Sequence, residues 1–134
     1  MKDIDPGKIR IKLKRILEGL GYHDCELSLL FTDDKGIAEL NCRFLKREGP
    51  TNVLAFPMRV GDPSGPKTPM LGDIVISLDA AIRDAKRIGE SVNRTIDRLS
   101  IHGLLHLLGC DHERSEEEAC MMEEKTERLL TMIE

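Results

Sequence analysis

The string I-H-G-L-L-H-L-L-G-C-D-H-E at residues 101–113 holds three of the four histidines of the chain. His102 and His106 stand four residues apart, so a helix carries them one turn apart on one face, where both imidazoles can grip one ion. Gly109 suits the left-handed conformation that ends a helix, and the chain can then turn to present His112 to the same ion. Three converging imidazoles with the fourth position left to water are the ligand pattern of catalytic zinc, whereas structural zinc closes that position with a protein ligand. Nickel or copper can occupy the same nitrogens. The plain alternative is a helix that carries surface or core histidines. Cys110, one residue past the glycine, reads as buried packing and not as a ligand.

The spacing H-x-x-x-H-x-x-G-x-x-H resembles that of the metzincin metallopeptidases, where Glu follows the first histidine as general base. Here that position is Gly103, so hydrolysis of another bond fits better than peptide hydrolysis. A glutamate there would repel an approaching phosphate by roughly 4 kcal/mol at about 4 Å in an effective dielectric near 20. Alternatively, Gly103 lets its helix pack closely against a sheet.

The string H-G-L-L-H-L-L-G-C-D-H also resembles the YbeY family of bacterial rRNA maturation factors. Leu40-Asn41 through G-P-T-N-V-L-A-F-P and L-G-D-I-V-I-S at 71–77 are similar to two further family segments. This resemblance covers most of the chain. It implies a zinc-dependent endoribonuclease that hydrolyses single-stranded RNA in rRNA maturation and ribosome quality control. One zinc per chain would sit on His102, His106 and His112. From the residues themselves, Asp111 or Glu113 could serve as proton acceptor or orient a histidine. The implied partners are an rRNA precursor and ribosomal or assembly proteins.

Members of that family often have an arginine after an aromatic residue, where this chain has Leu45. Arg43 and Arg47 flank that position about 200° away around a helix. With Lys46 they are the candidate RNA contacts. Two other functions stay open: a metallopeptidase-like hydrolase, which needs a carboxylate from elsewhere, and a non-catalytic ribosome-assembly factor with structural zinc.

With 134 residues, the chain is long enough for one domain, 1–134, with a single sizeable core. Its 40% hydrophobic and 33% charged residues describe a soluble globular protein. Three Phe, one Tyr and no Trp argue against base-stacking platforms of the single-strand-binding kind. A net charge of −4 requires any RNA contact to come from a local basic face. The four cysteines lack C-x-x-C spacing, and there is no secretory signal or long apolar run. These features point to free thiols, the cytoplasm and no membrane partner.

The elements that position these residues follow from periodicity. Residues 6–20 form an amphipathic helix on Ile9, Leu13, Ile16, Leu17 and Leu20, with Lys8, Arg10, Lys12, Lys14 and Arg15 outward. Residues 26–32 make a strand. A second helix covers 34–47 with Ile37, Leu40, Phe44 and Leu45 as its apolar stripe. Residues 51–57 make a strand closed by Pro57. A loop over 60–69 is rich in Pro and Gly, and the β-branched run at 71–77 suits a central strand. Helices follow at 78–88, from 92 into the histidines, and at 115–132, the last with Met121, Met122, Leu129, Leu130 and Met132 in the core. The expected class is α+β: a small mixed sheet of three to four strands with about five helices, one of them a metzincin-like metal-binding helix.

Overall fold

The computed structural model describes residues 5–22, 25–57, 70–108 and 116–132. The first helix, α1, spans Pro6–Gly19, and the Asp5 carboxylate caps it by accepting the Gly7 N–H at 2.9 Å. Strand β1 (Glu26–Thr32) leads to α2 (Asp34–Leu45), capped by Asp33, whose side chain accepts the Gly36 N–H. Strands β2 (Val53–Pro57) and β3 (Met70–Ser77) follow. Three helices complete the order: α3 (Leu78–Ile88), α4 (Val92–Leu107) and α5 (Glu116–Met132). This is the expected α+β class with five helices and a three-stranded mixed sheet. The sought fourth strand falls at 58–69, outside the described residues.

The sheet order is β1-β3-β2, with β3 parallel to β1 and antiparallel to β2. The central place of β3 explains its apolar run, because both of its faces are covered. Ile74 and Ile76 face the main core with Leu27 and Leu29 of β1, α1, α4, and Leu129 and Leu130 of α5. Val75 points the other way, where Leu54 and Ile37 form a smaller cluster under α2. The histidine helix and α2 therefore pack on opposite faces of the sheet.

Several apolar expectations need correction. Helix α2 ends at Leu45, two residues early, because Lys46 turns left-handed at φ 55°, ψ 37°. Phe44 and Leu45 are 60% and 40% exposed, since the sheet face beneath α2 is filled by Ile37 and Leu40. Leu20, at the C-cap of α1, and Met132, in the last turn of α5, are also exposed, because both lie where a helix runs past the core. Leu108 is half-buried. The side chains of Met121 and Met122 lie outside the described residues.

Two glycines set how closely α4 approaches the sheet. A Cβ on Gly103 would stand 2.8 Å from Ile74 Cγ2, with Ile74 Cγ1 and Val53 Cγ2 at 3.3 and 3.4 Å. Ile74 is fully buried and β-branched, so that methyl has little freedom to yield. Gly72 on β3, at φ 147°, takes a backbone conformation that L side chains rarely adopt, and a Cβ there would meet Leu107 Cδ2 at 2.9 Å. Close packing thus accounts for Gly103. The electrostatic explanation gains no support, because position 103 faces Ile74 and Val53.

Replacing Gly103 by Val is expected to cost about 1–3 kcal/mol through overpacking against Ile74. Gly103→Ala should cost less, because the better helix propensity of Ala offsets roughly 1 kcal/mol. Urea denaturation of both variants checks the order, and a Gly103→Val protein as stable as wild type would show that the contact is slack.

Candidate metal centre

Helix α4 must be held firmly if its histidines are to keep one geometry. Its start is fixed by Ser91, whose side chain accepts the Arg94 N–H at 3.1 Å. Glu90, just outside the helix, accepts from Thr95 Oγ1 at 2.8 Å and from Arg98 Nε and Nη2 at 3.2 and 3.0 Å. Arg98 also pairs with Glu127 of α5. Lys12 Nζ of α1 reaches Asp97 Oδ2 at 2.9 Å. One pair thus ties α4 to α1 and another ties it to α5, while Ile96, Ile101 and Leu104 are wholly buried in the core.

These restraints leave His102 and His106 half-buried on one face of α4. Their Nε2 atoms stand 3.3 Å apart, with ring centroids at 4.8 Å and planes at 71°. Two nitrogens each about 2.0–2.1 Å from a tetrahedral zinc lie about 3.3–3.4 Å apart. The separation of the two nitrogens thus matches that of two zinc ligands. The same approach also permits an N–H···N bond between neutral tautomers. His106 lies in the last turn of α4, whose negative dipole end favours a cation held there.

Gly109, Cys110, Asp111, His112 and Glu113 lie outside the described residues, as does His23. Among the described residues, no three His, Cys, Asp or Glu side chains gather as a metal site. The geometry therefore brings together two of the three expected histidine ligands.

His102 opens on a cleft of about 680 Å³ between α3, α4 and α5, whose walls include Asn52, Asp84, Arg87, Arg98 and Arg128. Sequence reasoning missed these residues. Arg98 pairs with Glu90 eight positions earlier, a contact that follows only once Ser91 is known to start the helix. Arg43, Lys46 and Arg47 are all exposed at the end of α2 and do not line this cleft. On the basic face of α1, Lys12 is paired with Asp97, and Lys14 with Glu26 at 2.7 Å; Lys8, Arg10 and Arg15 remain exposed.

Comparison with known proteins adds a consistent result. Residues 3–134 match the family model described as Endoribonuclease YbeY. An Endoribonuclease YbeY of Syntrophus aciditrophicus is 45% identical over 126 residues, which are 92% of this chain and 79% of that protein. One from Geobacter metallireducens is 42% identical over 128 residues, 95% of this chain and 85% of the relative. The solution structure of TM1509 from Thermotoga maritima superposes with a TM-score of 0.66 at 25% identity, covering 95% of this chain and 79% of that one.

The clamp at the start of α4 yields a pH test. Hydrogen bonds from Arg98 and then Thr95, outweighing burial, hold the Glu90 carboxyl below its ordinary value of 4.5. A carboxyl lowered in the folded state stabilises above its unfolded value, and that contribution is lost as pH falls through the folded one. Glu90→Gln is expected to lose on the order of 1–2 kcal/mol at neutral pH, with the gap to wild type closing as pH drops below 4.5. Urea melts of both proteins between pH 7 and pH 3 measure it; a gap constant with pH would contradict it.

Proposed function

The chain belongs to the YbeY family of endoribonucleases, and from that premise we propose that it hydrolyses RNA phosphodiesters with zinc held by His102, His106 and His112. The observation that carries the zinc is the 3.3 Å separation of the two Nε2 atoms on α4, the spacing that two tetrahedral zinc ligands need. Zinc on three imidazoles supplies a Lewis acid for a phosphoryl oxygen.

The protein's own side chains supply the rest. His102 and His106 are oriented by a helix buried along its opposite side, so the ligand geometry costs little to hold. Asp111 is assigned to orient a histidine or to hold a proton. Arg43, Lys46 and Arg47 are assigned to phosphates, because a chain of net charge −4 attracts RNA only through a local basic face. The substrate we assign is a single-stranded segment of an rRNA precursor, met together with ribosomal or assembly proteins during rRNA maturation and ribosome quality control. No helix of the described residues is long and apolar enough to cross a membrane, and the cytoplasm is the compartment where such a substrate is found.

Elemental analysis and an RNA cleavage assay on wild type and His106→Ala test the proposal together. Wild type is expected to carry about one zinc per chain and to cleave single-stranded RNA. His106→Ala is expected to lose zinc and at least a hundredfold in cleavage while keeping its circular dichroism and cooperative melt. A variant that unfolds on losing zinc would support the structural-zinc alternative. Equal cleavage by metal-stripped wild type would refute the proposed chemistry.

A further inference from the structure

The three Phe side chains are not used alike. Phe31 and Phe56 are half-buried, while Phe44 is 60% exposed on the last turn of α2. Its ring is nevertheless held. Phe56 lies edge-on to it at 5.7 Å and 66°, and the Arg43 guanidinium carbon stands 6.0 Å from its centroid. Leu45 beside it is 40% exposed. The sheet face has no room for this ring, so Phe44 and Leu45 together leave an apolar spot open to solvent at the end of α2.

The charges around the ring select the occupant. Arg43, Lys46 and Arg47 are all exposed, three cations within five residues of a chain whose net charge is −4. Lys46 is the one described non-glycine residue with positive φ, at 55°, and this turn brings the chain sharply off the helix end. An aromatic ring framed by cations is the combination that recognises an unpaired nucleotide, the base on the ring and the phosphates on the cations.

Along the chain, the segment that follows the ring leads to the histidine side of the sheet. Asn41 Nδ2 donates to Gly49 O at 3.0 Å, pinning the segment that returns from α2 toward β2. Asn52, further along that segment, lines the cleft beside His102, and Val53 then lies under α4 at Gly103. We propose that Phe44 is a stacking platform for an unpaired RNA base, with Arg43, Lys46 and Arg47 on the flanking phosphates. The site rests on the RNA reading above and deepens it. It also revises the expectation from composition, because scarce aromatics do not preclude one well-placed ring.

The chain has no Trp, so Phe44→Trp installs a single fluorescent reporter at the site. Its emission is expected to fall when a single-stranded RNA oligonucleotide is added. Adding an abasic backbone of equal length should leave it unchanged. Phe44→Ala should bind the oligonucleotide roughly 5- to 100-fold more weakly, with unchanged zinc content and a retained cooperative melt. If Phe44→Ala binds as wild type while the Arg43→Ala, Lys46→Ala, Arg47→Ala triple variant is weakened, the surface contacts phosphate only and the platform is overturned. RNA binding without quenching in Phe44→Trp overturns it too. A wild-type protein that binds no RNA overturns the underlying RNA reading, and the platform with it.

Discussion

The approach of α4 to the central strand is the constraint on which the rest depends. Ile74 sits where a side chain on residue 103 would be, and Leu107 fills the space beside Gly72. Successive residues on a helix are about 100° apart, so once Gly103 faces the sheet, the directions of His102 and His106 are set. The helix cannot roll to bury its histidines without driving Gly103 and Leu107 out of their contacts. Tight packing, rather than any feature of the imidazoles, aims the site outward.

Around that contact, a few charged groups fix position more than they add stability. Glu90 holds Arg98 and Thr95 at the start of α4, and Arg98 reaches across to Glu127 of α5. Asp97 takes Lys12 from α1. Each such pair is worth little where water reaches it, because solvent screens the charge and the side chains lose freedom. Their value is geometric: α4 is tied to both flanking helices, so its histidine face holds one setting. A pair of Nε2 atoms at 3.3 Å tolerates little drift before it stops matching two bonds to one zinc.

Much of this was legible in the sequence because it depends on local periodicity. The four-residue step from His102 to His106 fixed their common face, and the β-branched run of β3 marked the central strand. The helix starts expected at residues 6, 78 and 92 are where the structure places them. What escaped depends on contacts distant in sequence. The exposure of Phe44 and Leu45 follows from how few side chains of α2 the sheet face accommodates, which no helical stripe reveals. The reason for Gly103 required knowing that Ile74, twenty-nine positions earlier, lies beneath it. The cleft walls of Asn52, Arg87 and Arg98 come from three separate segments.

α2 and α4 meet opposite faces of one sheet. The face under α4 keeps the histidines rigid, while the end of α2 presents an aromatic ring and cations to solvent. The most direct measurement is X-ray absorption at the zinc edge of the metal-loaded protein. A first shell of three imidazole nitrogens at about 2.0–2.1 Å, completed by a light-atom ligand, is the expected result. A sulfur ligand at about 2.3 Å, or fewer than three imidazoles, would contradict the assignment of a catalytic zinc to His102, His106 and His112.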